Sequence, residues 1–464
     1  MRPASVWLPR MTTPSDSVSH AVAAPEWAPT RLRPLLRQLG PGLIVSSIIV
    51  GSGELIVTPK LGAEVGFRLL WFIILGCLVK VFVQIEFGRY AITRGRTLLQ
   101  AMDSLPGPRL VVSWLLWLWL AMFVCVMPQV AGMVGGTATA LRLGGIDIPV
   151  STLAVGIGAS CALLLVLGRY RLVETASMVM VGIFTVGTLV AVAVLQTTPY
   201  AVTGAQLASG FTFGLPADVA TAFGAFGIIG VGATELIYYP YWCLEKGYGV
   251  KVGPDDGTEE WRRRAQGWLR VMRIDAWVCF ALYTTTTVAF YLLGAAVLHA
   301  KGLLVENQRM IEVLSFMYRE TFGEWSLWMF VVGAIAVLYS TIFGATASNA
   351  RLVVDAAGLF TPFRPRSNEE RVRWVKVSCV VLPAIFTLVF LSFGNPVQLV
   401  FFGAIAQGLM LPFLALAAVY FHLTSPHREL RASRVSFACL LVAATAMTAL
   451  GGYQVFAELS RWLR

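Results

Sequence analysis

The chain has 464 residues, of which 57% are hydrophobic and only 13% charged, yet its net charge is +11. A soluble domain carries about 25% charged residues, so a water-soluble globular fold is excluded and most of the surface must face lipid. The basic excess would suit nucleic acid, but its placement between apolar runs excludes that partner as well.

Residues 1–38 are polar, hold several prolines and lack an apolar core, so they are read as a disordered cytoplasmic tail and not as a signal peptide. Beyond them come runs long enough to cross a hydrocarbon layer about 30 Å thick, which takes roughly 20 apolar residues. Eleven are expected, at 41–64, 68–93, 110–140, 149–168, 172–196, 218–243, 270–298, 325–349, 377–394, 397–421 and 435–457. With the N-terminus inside, 27 of the 36 Lys and Arg fall on the inner side. The opposite threading inverts that bias. The positive-inside rule therefore puts the N-terminus in the cytoplasm and, after eleven spans, the C-terminus outside. A bacterial inner membrane is the expected setting, with lipid as partner; nothing in the pattern specifies an oligomeric state.

The seven cysteines are scattered and form no CxxC pair, which gives neither a disulfide framework nor a zinc site. The four histidines lie in the tail or near span ends. No cofactor is expected. The longest inner connection, 244–269, contains GPDDGTEEWRRR, whose acids lack the alternating spacing of a calcium loop and read as a solvated loop or gate. Catalysis in the membrane would need a Ser/His pair or paired Asp deep in a span, and none is present, so no enzyme is expected.

An internal repeat is the informative feature. The first span contains VGSGELIVTP at 50–59 and the sixth contains VGATELIYYP at 231–240. Val50, Gly51, Glu54, Leu55, Ile56 and Pro59 recur as Val231, Gly232, Glu235, Leu236, Ile237 and Pro240. Five spans apart, the two segments cross the membrane in opposite directions, as an inverted repeat requires. The expected core is a first repeat at 39–198 against a second at 199–425, with 426–464 adding an eleventh helix. Gly51, Ser52 and Gly53 weaken the first span, and Gly224, Gly227, Gly230 and Gly232 the sixth; Pro59 and Pro240 remove backbone donors. Broken helices at matching places in two halves point to a transporter's binding site near the midplane.

Glu54 and Glu235 must face a cavity or a partner, since a carboxylate facing lipid costs several kcal/mol. Three roles are open: direct cation binding, carriage of coupling protons, or pairing with Lys60 or Lys80. Lys80 and Glu86 could form an internal network. Asp275 and Asp355 are expected near cytoplasmic ends. Tyr238, Tyr239, Tyr241 and Trp242 could form an aromatic wall for an organic cation, although Trp242 also suits the interfacial belt.

Several stretches resemble the Nramp-type divalent-metal transporters: GPGLIVSSIIVGSGE in the first span, IEFGRYAITRGRTLLQAM leaving the second, GGTATALRLGG ending the third, GIIGVGATE in the sixth and LMLPF in the tenth. The likeness covers about residues 38–421. It implies an all-α polytopic membrane protein with the LeuT-like five-plus-five inverted repeat. The family's metal-site motifs do not carry over. Its metal-binding Asp falls on Gly51, its Pro on Ser52, its Asn on Glu54, its Met on Leu236 and its His on Tyr238; two acids of the third span fall on Val130 and Met133. Gln407 lies near the family's polar position in the tenth span. Without the thioether, two carboxylates favour hard ions such as Mg²⁺ or Mn²⁺.

The resulting expectation is a secondary transporter of a divalent cation working by alternating access. Glu54 and Glu235 are the expected metal ligands, meeting in one chamber. Backbone at Gly51, Ser52, Gly53 and Ala233, the Thr234 hydroxyl, Tyr238 and Gln407 would complete the binding site. A small organic substrate, or a non-transporting sensor of the same shape, is the alternative.

Overall fold

The computed structural model describes residues 25–51, 53–168, 170–214, 220–305, 309–363 and 365–462. Eleven spans follow one another. The first comprises α1a (Pro41–Ile49) and α1b (Thr58–Val65), joined by a turn at Val50 and Gly51 and a π-helical turn, Gly53–Val57. Next come α2 (Leu70–Arg94), α3 (Trp114–Leu143), α4 (Val150–Val166) and α5 (Tyr170–Leu195). The sixth is split into α6a (Ala220–Ile228) and α6b (Ala233–Glu245). Then follow α7 (Glu259–Leu293), α8 (Ser326–Phe360), α9 (Asn368–Phe393), α10 (Pro396–Leu423) and α11 (Arg434–Trp462). Among the described residues nine of these spans are long and apolar enough to cross a membrane; α4 is apolar but shorter, and the split sixth span is two short pieces.

Local chemistry sets the boundaries. Pro41 opens α1a and Pro396 opens α10 at the first helical position, where a missing N–H costs nothing. Thr258, Ser367 and Asn395 cap α7, α9 and α10 through their side-chain oxygens. Gly95 and Gly394 end α2 and α9 in the left-handed conformation.

Three helices run farther than the apolar runs suggest: α7 starts at Glu259 instead of 270, α8 reaches Phe360 instead of 349, and α9 starts at Asn368 instead of 377. The added turns of α7 and α9 are rich in Arg and Glu, which water solvates beyond the lipid, and the added turns of α8 hold Arg351 and Asp355, so apolar counting missed them. The expected loop 244–269 is accordingly mostly helical, with Tyr248–Val252 and the start of α7 inside it. Residues 25–38 fall within the expected tail, but they carry a helix at Leu32–Leu36 and dock on the 248–268 region. The Glu26 amide donates to the Lys251 carbonyl at 2.9 Å, and Trp268 donates to the Glu26 carbonyl at 2.8 Å. Residues 1–24 lie outside the described residues.

The broken spans are held at the centre by α2, α7, α8 and α10. Asp275 of α7 accepts hydrogen bonds from the Gly40 and Gly42 amides at 2.9 and 2.6 Å, so it is a carboxylate cap on the N-terminus of α1a and not merely a residue near a helix end. On α6a, Gly227 lies flat against α10, where a Cβ would collide with the Ala404 carbonyl and approach the Gly408 nitrogen to 2.6 Å. Backbone cannot swing aside. Gly227→Ala should therefore cost about 1–3 kcal/mol in detergent unfolding. Gly156→Ala in α4, where a Cβ meets nothing within 4 Å, should be neutral or stabilising by up to about 1 kcal/mol.

Candidate functional site

The break in the sixth span releases backbone groups in mid-membrane, and four of them are met by side chains. Lys80 of α2, fully buried, directs its ammonium to the carbonyls of Phe226 and Ile229, the latter at 2.8 Å, and lies 4.5 Å from the Phe226 ring centre. Gly230 turns the chain with φ +65°, a conformation open to glycine, and its amide donates to Glu54 Oε1 at 3.2 Å. The Thr287 hydroxyl of α7 lies 2.9 Å from the same oxygen. The Thr234 amide donates to Gln407 Oε1 at 3.0 Å, and Gln407 Nε2 donates to Gln129 Oε1 of α3 at 2.8 Å. A chain of amides thus ties α6b to α10 and α3.

Glu235 sits in the first turn of α6b, where exposed N–H groups and the helix dipole favour a carboxylate. Its Oε2 lies 2.9 Å from the Thr234 hydroxyl. Between the breaks is a cavity of about 20 Å³, room for one water-sized occupant. Gly53, Gln129, Met133, Thr234, Glu235 and Tyr238 line it, with apolar walls from α1a, α3 and α8. Tyr238 donates its hydroxyl hydrogen to Asn349 Oδ1 at 2.6 Å, which leaves the phenol oxygen an acceptor.

The expected site residues divide. Gly53, Thr234, Glu235 and Tyr238 line the cavity, and Gln407 lies directly behind Thr234. Glu54 does not line it: it is fully buried, turned toward Gly230 and Thr287, with Oε2 unpartnered. The two acids are contributed by adjoining breaks but do not share the chamber. Gly51 is packed against the Thr341 side chain of α8, and the Ile48 carbonyl next to it is taken by the Thr341 hydroxyl at 3.1 Å. Ala233 is buried as the first residue of α6b. Ser52 lies outside the described residues.

Other expected partnerships form differently. Lys60 pairs with Glu64 at 2.5 Å, and Glu86 with Arg89 and His422, so neither lysine bonds to Glu54 or Glu235. The aromatic residues point different ways: Tyr239 bonds Asp275 at 3.1 Å, and Trp242, only 5% exposed and so packed within the protein, donates to Ser348 at 3.2 Å. Gln129, Thr287 and Asn349 were not singled out from the sequence; the available signal was a lone amide or hydroxyl inside an apolar span. Among the described residues no three His, Cys, Asp or Glu side chains gather as a metal group. Any ion here would rest on one carboxylate and neutral oxygens.

The family described as natural resistance-associated macrophage protein-like (Nramp) matches residues 42–457. An uncharacterised Pasteurella multocida protein is 26% identical over 407 residues, covering 84% of this chain and 86% of that protein. The divalent metal cation transporter MntH of Caldanaerobacter subterraneus is 23% identical, covering 80% and 84%. Among solved structures, a mutant of the Eremococcus coleocola manganese transporter superposes with a TM-score of 0.66 at 16% identity, covering 94% of this chain and 90% of that one. The fold is LeuT-like.

Since Glu54 joins the two breaks and α7, Glu54→Leu should strand the Gly230 amide and lower stability by about 1–3 kcal/mol. Thr287→Val removes only one of the two donors and should cost less. Thermal unfolding of the purified variants reads both.

Proposed function

The chain belongs to the Nramp family, and from that membership we propose that it transports a hard divalent cation, such as Mg²⁺ or Mn²⁺, across a bacterial inner membrane by alternating access. The observation that carries this reading is the cavity of about 20 Å³ between the two breaks, edged by oxygen donors. It suits a single ion and is far below the usual 300–1,000 Å³ of a small-molecule pocket. The name of the Caldanaerobacter relative supports the same class of substrate. An organic substrate loses the aromatic wall that favoured it, because of the four aromatic residues only Tyr238 lines the cavity.

Glu235 is the carboxylate ligand in this scheme. Gln129, on the cavity wall, and the Thr234 and Tyr238 oxygens complete a hard donor set. Glu54, one layer behind, ties the breaks together. The charge distribution supports a cytoplasmic N-terminus and an outer C-terminus. The Nramp family to which the chain belongs is one of transporters, so the cation is cargo and no cofactor takes part.

Where the bonds lie supports alternating access. α1a is bonded to α7 through Asp275, and the sixth-span break to α2 and α1 through Lys80 and Glu54. These helices can rock as one body, while α3 and α10 hold the cavity's other wall through Gln129 and Gln407.

Uptake of Mn²⁺ and Mg²⁺ into proteoliposomes tests the proposal. Glu235→Gln should lower the rate roughly 10- to 100-fold, the loss of one charged ligand. No uptake above protein-free vesicles, or full uptake by Glu235→Gln, sinks it. Met133, on the cavity wall, supplies a thioether that hard ions do not use. Met133→Leu should leave Mg²⁺ uptake within about twofold; a selective loss of Mn²⁺ uptake would assign a softer site.

A further inference from the structure

A second cavity, of about 450 Å³, opens between the end of α2, the segment 249–255 and the end of α10. Five arginines in or beside it can be sorted by what they bind. Arg89 is held by Glu86, the Phe421 carbonyl and Ser425. Arg431 neutralises the end of α10 through the Leu423 and Ser425 carbonyls. Arg264 binds Glu260 and the Val252 carbonyl.

Arg94 and Arg96 are different. Both line the cavity, flanking Gly95 where α2 ends, and neither has a hydrogen bond or ion pair among the described residues. The one acid in the lining, Asp255, is held by His427 at 2.7 Å. The lining therefore sets two guanidinium groups, Arg94 and Arg96, against one carboxylate, a net positive charge beside the Thr93, Ser104 and Thr424 hydroxyls. Guanidinium groups present planar forks that match phosphate oxygens, and concave walls concentrate the field.

We propose that this cavity binds a phosphate group through Arg94 and Arg96, supplied by an anionic lipid headgroup or by soluble phosphate. Its position supports a role. α2 belongs to the body that carries the sixth-span break, and α10 to the opposite wall. Their ends already meet through Arg89 to Ser425, and α7 reaches the segment after α10 by Arg262 to Glu429 at 3.9 Å. A phosphate seated here would bridge the same junction. The proposal stands apart from cation transport.

The test uses the purified full-length chain, wild type and Arg94→Gln/Arg96→Gln, with Arg142→Gln at the far end of α3 as control. Binding is read from thermal stability on titration with inorganic phosphate in a zwitterionic detergent, and from phosphatidylcholine vesicles with and without phosphatidylglycerol. Wild type and control should be stabilised, with salt-sensitive apparent affinity, and the double variant weakened roughly 30-fold, two charges at the usual increment beside an anionic surface. Stabilisation by phosphatidylglycerol alone identifies lipid as the source; stabilisation by both probes identifies the phosphate group as sufficient. Arg94→Lys/Arg96→Lys, which keeps charge without the planar forks, should fall between. Equal stabilisation of wild type and the double variant, or none of wild type by either probe, overturns the proposal.

Discussion

A backbone amide or carbonyl set free inside a membrane has no water to turn to, so protein must satisfy it. That requirement organises the centre of this molecule. The break between Ile228 and Ala233 exposes carbonyls at one side and amides at the other. Lys80 answers the carbonyls; Glu54 and Gln407 answer the Gly230 and Thr234 amides. The three side chains come from α2, the first span and α10, so satisfying one break joins helices from both repeats. Replacing any of them by an apolar residue would leave a buried polar group unpaired.

The same accounting separates side chains that hold the structure from those left over for chemistry. Thr341 takes the Ile48 carbonyl, Asp275 the first amides of α1a, and Thr287 meets Glu54. These contacts explain polar residues in apolar spans without any ligand. Glu235 is not consumed in this way: its nearest partner is the neighbouring Thr234 hydroxyl, and it faces the cavity.

The number of spans, the family and the location of the breaks were legible because each rests on a pattern of many residues: apolar runs, the distribution of arginine, and a repeated ten-residue string. Glycines in both strings marked where the helices fail, whereas Pro240 lies inside α6b. What could not be read was direction. Glu54 and Glu235 occupy equivalent places in the strings, and only packing decides that one turns toward α7 and the other toward α3. Lys80 was seen as a partner for carboxylates because pairing opposite charges is the usual expectation; two freed carbonyls at the end of α6a compete for it and win. Gln129 escaped notice because one amide in an apolar span leaves no periodic trace.

The departure from symmetry has a mechanical cause. In both repeats the acid sits just after the break, near the N-terminus of the second half-helix. In the first span the interruption is shallower among the described residues: Val50 and Gly51 form a turn, and the Gly51 amide stays bonded to the Ile48 carbonyl. The sixth span opens fully, with Gly230 in a left-handed turn and its amide bare. Glu54 therefore finds an orphan amide across the pseudo-twofold axis and takes it. In the first repeat the position equivalent to Gly230 is Ile49, which lies inside α1a, so no such amide is open to Glu235. An inverted repeat that were perfectly symmetric would lock both carboxylates into mutual backbone bonds and leave no acid for a cation. The unequal depth of the two breaks is what frees Glu235.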